Sequence, residues 1–145
     1  MATQWTAGLT SGSTLSANTL NTIGAAWETY TPTVASQSGT ITSFTARNAK
    51  YTRINKLVIV QFDFSINVNG TGGTYLTVSK PITSTTPWAG TGQIGNANEI
   101  NISGYVAVVR EASTSSVLLL GFGASPGYIG QNGARVTGYF TYEAA

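Results

Sequence analysis

The chain contains no cysteine and no histidine. Without cysteine there is no disulfide framework and no thiolate metal site. Without histidine, the usual general base near neutral pH and the commonest metal ligand are both missing, and a Ser-His-Asp triad is excluded. What remains for a metal is an all-oxygen site of the calcium type. Charge is scarce as well: Asp, Glu, Lys and Arg make up 8% of the residues, against about 25% in ordinary soluble domains. The net charge of +2 is too small an imbalance to argue for a nucleic-acid partner. No apolar run approaches the roughly 18 residues of a membrane span, and the first residues lack the basic region and continuous apolar core of a signal peptide. The expectation is a protein made in a cytoplasm, with no cofactor, no nucleic acid and no membrane insertion.

In place of charge the chain carries 23 Thr, 14 Ser and 17 Gly. Thr favours strands, and a surface of small hydroxyls and amides gives little electrostatic protection against self-association. That composition suits a protein packed against copies or neighbours. A length of 145 residues points to one domain, large enough to fold without staples.

The strongest pattern is Lys56–Val68. Its even positions are Val58, Val60, Phe62, Phe64, Ile66 and Val68, with Ile59, Gln61, Asp63, Ser65 and Asn67 between them. Strand side chains alternate between faces, so this stretch predicts a long half-buried strand on whose even face the rest of the chain packs. Further strands are expected over Gly39–Thr45, Lys50–Ile54, Tyr75–Lys80, around Gln93-Ile94, and over Glu99–Arg110, Val117–Phe122 and Arg135–Tyr142. Ile54-Asn55-Lys56 reads as a tight turn, Asn69–Thr74 as a glycine-rich hairpin loop, and Glu111–Ser115 as a polar turn. About eight strands at these spacings predict an all-β fold, a jelly-roll-like antiparallel sandwich.

Before the strands, residues 16–27 predict one short helix. Ser16 is a suitable N-cap, Leu15 and Leu20 have the spacing of a hydrophobic staple, and Leu20, Ile23 and Trp27 fall on one helical face. Ahead of it, residues 1–14 show no period, and Trp5 and Leu9 are their only large apolar groups. The organisation expected is an arm and helix over residues 1–27, with Trp5, Leu9, Leu15, Leu20, Ile23 and Trp27 as anchoring residues, followed by a β-sandwich domain over 28–145.

Few residues suggest chemistry. The acids Glu28, Asp63, Glu99, Glu111 and Glu143 are dispersed, whereas a glycosidase needs a carboxylate pair across the bond; Asp63, on the polar face of the long strand, is the acid to test. A Ser-Lys dyad would need Lys50, Lys56 or Lys80 buried beside a serine. Arg47, Lys50, Arg53 and Lys56 place four of the seven basic residues within ten positions. They could form a contact patch for an acidic neighbour, or protect a sheet edge from unwanted pairing. Tyr75, Trp88, Tyr105 and Tyr128 lie near expected turns or strand ends, where exposed rings could stack on sugars and buried ones would be core or interface. The chain is not expected to be an enzyme.

Two stretches carry a resemblance. Trp5–Ala26 runs from a Trp through a Gly and a polar stretch to the pair Leu20-Asn21. In Tyr30–Pro81, the pieces Tyr30-Thr31-Pro32-Thr33, Lys50-Tyr51-Thr52-Arg53-Ile54-Asn55-Lys56, the alternating strand, Gly70-Thr71-Gly72-Gly73 and Val78-Ser79-Lys80-Pro81 follow in that order. Both stretches resemble structural proteins of tailed bacteriophages, namely the capsid decoration or head-fibre type and tail-fibre β modules, although many related sequences place Gly at position 55 and Leu at position 80. The resemblance covers about half the chain and its motifs are structural. It implies a homotrimer on the virion surface, held through its N-terminal segment by capsid or tail proteins. A capsid decoration protein is the leading expectation, since the chain carries no shaft, collagen-like or coiled-coil segment. A tail-fibre or tail-tip protein that recognises a host cell-surface glycan, or a carbohydrate-binding module, is the alternative.

Overall fold

The structure is a computed structural model that describes residues 26–85, 93–101, 106–121 and 131–145. These form nine antiparallel strands: β1 (Glu28–Thr29), β2 (Val34–Ser38), β3 (Ser43–Ile54), β4 (Leu57–Val68), β5 (Gly73–Ser79), β6 (Gln93–Glu99), β7 (Val106–Glu111), β8 (Ser116–Gly121) and β9 (Arg135–Glu143). All nine hydrogen-bond in one order, β1-β3-β4-β9-β6-β7-β8-β5-β2. The result is an all-β curled sheet, a half-barrel. Within it, β9-β6-β7-β8 has the spatial order of a Greek key, three consecutive strands with the fourth returning beside the first.

The alternation in β4 fixes where the core lies. Val58, Val60, Phe62, Phe64 and Ile66 are all buried, whereas Val68, the sixth residue of the expected face, is 45% exposed because β4 ends there. The opposite half of the curled sheet contributes Val34, Leu76, Val78, Val117 and Leu119 to the same core. Aromatic rings fill its centre: Phe62 packs on Phe64 and on Phe140, each at 5.9 Å between centroids. Fully burying side chains of this size contributes about 1.5–3 kcal/mol each. Neighbouring β6 and β9 approach so closely that a Cβ on Gly95 would run into the Tyr139 carbonyl oxygen, and one on Gly138 would lie 2.5 Å from the Asn96 carbonyl oxygen.

Several expectations need correction. The strands expected over Gly39–Thr45 and Lys50–Ile54 are one strand, β3. Its pairing with β4 shifts register between Ala46 and Asn48, so Arg47 is the extra residue of a bulge, and a bulge resets the alternation that sequence reading relies on. The stretch Glu99–Arg110 is not one strand. Glu99 ends β6, Val106 begins β7, and the two strands run antiparallel to each other. Ile100 and Val106 are about half exposed. Asn69–Thr74 does not close a hairpin: β5 pairs with β2 and β8, so this loop carries the chain across from one half of the sheet to the other. Glu111, expected in a polar turn, is the buried last residue of β7.

The tight turn at Ile54-Asn55-Lys56 is present. Ile54 pairs with Leu57, and Asn55 adopts φ +54°, a left-handed conformation that Asn tolerates better than most residues. The helix expected over 16–27 lies outside the described residues up to position 25, while Ala26 and Trp27 are not helical.

Candidate functional site

Because the even face of β4 builds the core, its odd face looks outward, and the cross-strand register assembles polar residues there. One row reads Asn48 on β3, Asp63 on β4, Thr137 on β9 and Asn98 on β6; the next reads Lys50, Gln61, Tyr139 and Asn96. Strands lie about 4.8 Å apart, and same-face residues along one strand about 7 Å apart. The outer face is therefore a regular grid of amides and hydroxyls with the charged Asp63 and Lys50 among them.

Asp63, the acid singled out from the sequence, sits within this grid. Arg135 clamps it with two parallel hydrogen bonds, Nε donating to Oδ1 at 3.0 Å and Nη2 donating to Oδ2 at 2.6 Å. The carboxylate lifts the Arg135 pKa further above its ordinary value, with this side-chain hydrogen bond as the largest cause. Two parallel charge-assisted hydrogen bonds of this kind fix the orientation of the carboxylate. Beside it lies a shallow depression of about 320 Å³, lined by Asn48, Gln61, Phe62, Asp63, Thr137, Gly138 and Tyr139. The Tyr139 ring is 49% exposed, and its hydroxyl accepts a hydrogen bond from Asn96 Nδ2 at 3.3 Å.

The expected site residues fare differently. Trp5, Leu9, Leu15, Leu20 and Ile23 of the anchoring set lie outside the described residues. Trp27 is described: it is 43% exposed just ahead of β1, and the Lys50 ammonium lies 5.1 Å from its ring centroid. Of the aromatic set, Tyr75 is half-buried on β5, while Trp88, Tyr105 and Tyr128 lie outside the described residues. The basic set does not form one patch. Lys50 pairs in register with Gln61 on the outer face, Arg53 pairs with Val58 on the core-side face, Lys56 sits in the turn 3.4 Å from Glu143 Oε1, and Arg47 is at the bulge. Strand alternation separates residues that are close in sequence. The two-residue β1 pairs only with Tyr51 and Lys50, so Arg47 lies on the part of β3 that β1 leaves unpaired, where a charge deters edge-to-edge association.

A second polar cluster had no sequence signal. Lys80 and Glu111 form an ion pair at 2.6 Å whose side chains are 0% and 4% exposed. Lys80 Nζ also donates to Ser84 Oγ and to the Ser113 carbonyl oxygen, each at 2.9 Å, and lies 4.9 Å from the Tyr142 ring centroid. The geometric condition for a Ser-Lys dyad is thus met at Lys80 and Ser84. Nζ is shared with Glu111 Oε1 at 2.6 Å and the Ser113 carbonyl oxygen as well as Ser84 Oγ, which accounts for the three hydrogen bonds that an ammonium donates.

Three of the remaining carboxylates also have partners: Glu28 accepts from the Tyr51 hydroxyl at 2.6 Å, Asp63 is held by Arg135, and Glu143 by Lys56. Glu99 differs. Its Oε1 is buried with no hydrogen-bond partner, and burial pushes its pKa up. Among the described residues, no group of three or more Asp and Glu is placed to hold a metal ion.

The outer-face residues were partly legible. Asp63 and Gln61 are the polar positions of the strongest pattern, and Thr137 and Tyr139 alternate with Val136, Gly138 and Phe140 in the same way. That β4 and β9 are neighbours, which brings the two sets together, has no local signal. No family model, no curated protein and no solved structure matches this chain.

Proposed function

We propose that this protein acts by surface contact and not by catalysis, as a structural protein on the outside of a tailed-phage particle. The observation that carries the first half is the state of its carboxylates. Four of the five are engaged with Tyr51, Arg135, Lys80 and Lys56, so no two are left to act as an acid and a base on one substrate. The exposed pair Ile54 and Leu57, side by side at the β3–β4 turn, supports contact with a neighbouring protein. The phage setting rests on the resemblance of Trp5–Ala26 and Tyr30–Pro81, of which the second stretch spans β2 to β5. The jelly-roll reading rests on the strand order. Either side of the β6–β7 pair, β9 mirrors β8, β4 mirrors β5 and β3 mirrors β2, the nesting expected of a rolled ribbon with two Greek keys.

A capsid decoration role, as a homotrimer held by an N-terminal segment, is the leading placement. A face of mostly amides and hydroxyls, with Asp63 paired to Arg135 and Lys50 the one charge left over, suits dense packing against other subunits. The tail-fibre alternative is favoured by one feature, the outer-face depression beside Tyr139, which gives a ligand somewhere to sit. Immunogold electron microscopy of particles from the source of the gene separates the two. Label spread over the shell is expected for decoration. Label confined to the tail would make host recognition the function, and particles without label would refute the virion assignment.

A further inference from the structure

We infer that the outer face of β3, β4 and β9 binds a neutral oligosaccharide that lies across the strands between the Trp27 and Tyr139 rings. The inference deepens the contact reading above and rests on it. Its first support is unspent hydrogen-bonding capacity. The side chains of Asn48, Gln61 and Thr137 line the depression and make no hydrogen bond among the described residues. Amides and hydroxyls both donate and accept, which matches the hydroxyl groups of a sugar.

The second support is the pair of exposed rings. Tyr139 is 49% and Trp27 43% exposed. Trp27 precedes the strand that pairs with β3, so β3, β4 and β9 carry the face from one ring to the other, three strand spacings or about 14 Å. Flat rings offer apolar area at low conformational cost for the C–H face of a pyranose. Charge is the third. Asp63 is neutralised by Arg135, and the Lys50 ammonium lies against the Trp27 ring. Asp63 and Arg135 cancel, and Lys50, the one charge left over, is not among the residues that line the depression, so the depression itself presents no net charge to a neutral ligand. The open, shallow shape calls for an extended chain rather than an engulfed monosaccharide.

The test titrates the full chain, labelled with nitrogen-15, with maltotetraose, cellotetraose and chitotetraose, following backbone amide shifts. At least one tetrasaccharide is expected to move the amides of Gln61, Asp63 and Thr137–Tyr139 and to leave those around Lys80 and Glu111 in place. Tyr139→Ala and Gln61→Ala should each weaken that binding about tenfold, the effect of losing roughly 1.4 kcal/mol of contact. Gln37→Ala, at an exposed position of β2, should leave it unchanged. Both site variants remain interpretable because the two side chains are exposed, and their folding is checked by the same spectra. If none of the three sugars moves these amides, or if binding survives Tyr139→Ala, the inference is overturned while the contact reading stands. If Tyr139→Ala instead shifts the sedimentation coefficient and no sugar responds, the face is a protein interface. If a tetrasaccharide binds and mass spectrometry finds it shortened, the site stands and the non-catalytic reading fails.

Discussion

Replacing Lys80 with Met is expected to be among the most damaging substitutions in the chain. The Lys80 side chain is fully buried and Glu111 is 4% exposed, with 2.6 Å between Nζ and Oε1. Without the ammonium, Glu111 remains buried and loses its countercharge, and the Ser113 carbonyl loses its donor. Breaking a buried ion pair by removing one partner costs about 3–5 kcal/mol. For a chain of about this size each kcal/mol moves Tm by roughly 2–4 °C, so Lys80→Met should melt on the order of 10 °C below the parent. The pair can also be removed whole. Lys80→Met with Glu111→Leu leaves no buried charge at this site, and such exchanges are often neutral or stabilising, so the double variant should recover at least about 2 kcal/mol relative to Lys80→Met. Urea denaturation followed by tryptophan fluorescence and circular dichroism measures all four corners of the cycle. A cost below about 1 kcal/mol for Lys80→Met, or a double variant as weak as the sum of the singles, would refute the reasoning.

The remaining predictions are smaller in scope. Phe62→Ala should cost about 3–5 kcal/mol in urea denaturation, because the ring is buried against Phe64 and Phe140; a change near zero would mean that β4 faces the other way. Glu99→Gln should stabilise at neutral pH. Burial raises the Glu99 pKa in the fold, so the native state holds the proton more tightly than the unfolded chain, and stability falls as pH rises through that window. The gain should vanish at acid pH, where both forms are neutral; no gain at pH 7 would count against a buried, unpartnered carboxylate. The tyrosines predict the opposite end of the pH scale. Burial pushes Tyr142 up to about 12 and Tyr30 higher still, so the stability they contribute is intact below about pH 10 and lost as pH rises through the folded values. Tyr30→Phe, which removes a buried hydroxyl with no partner, should be neutral or stabilising near pH 7. Tyr142→Phe should cost about 1 kcal/mol, since that hydroxyl donates to the Ile82 carbonyl at 2.6 Å and accepts from the Ile82 amide at 3.2 Å. Equal effects of the two substitutions in thermal melts would contradict this contrast.

How much was legible follows from how far apart in sequence the interacting residues lie. The β4 face, the Asn55 turn, and the buried face of β9 through Val136, Phe140 and Tyr142 were readable, because strand alternation is a local property. Arg47 defeated that reading by inserting one bulge residue, which made a single twelve-residue strand look like two. Lys80 and Glu111 lie 31 positions apart, and neither has a neighbour that announces its partner. The basic residues failed for the converse reason: close in sequence, they are divided between two faces and a turn.

The outer-face grid joins these two cases and shows what a test of the site must control. Each of its rows is a local pattern, but the grid exists only through the β4–β9 register, in which Asp63 meets Thr137 and Gln61 meets Tyr139. A slip of one residue would send Thr137 and Tyr139 into the core and bring Val136 and Phe140 out. The apolar residues that exclude that slip are on the other face, where Phe140 meets Val60 and Val136 meets Phe64. The core therefore holds the site's geometry without touching a ligand. A core substitution such as Phe140→Ala should weaken sugar binding as it loosens the register, whereas Gln61→Ala should weaken binding with little change in urea midpoint. If both variants lost binding only in proportion to stability, the grid would be an incidental product of strand pairing and not a site.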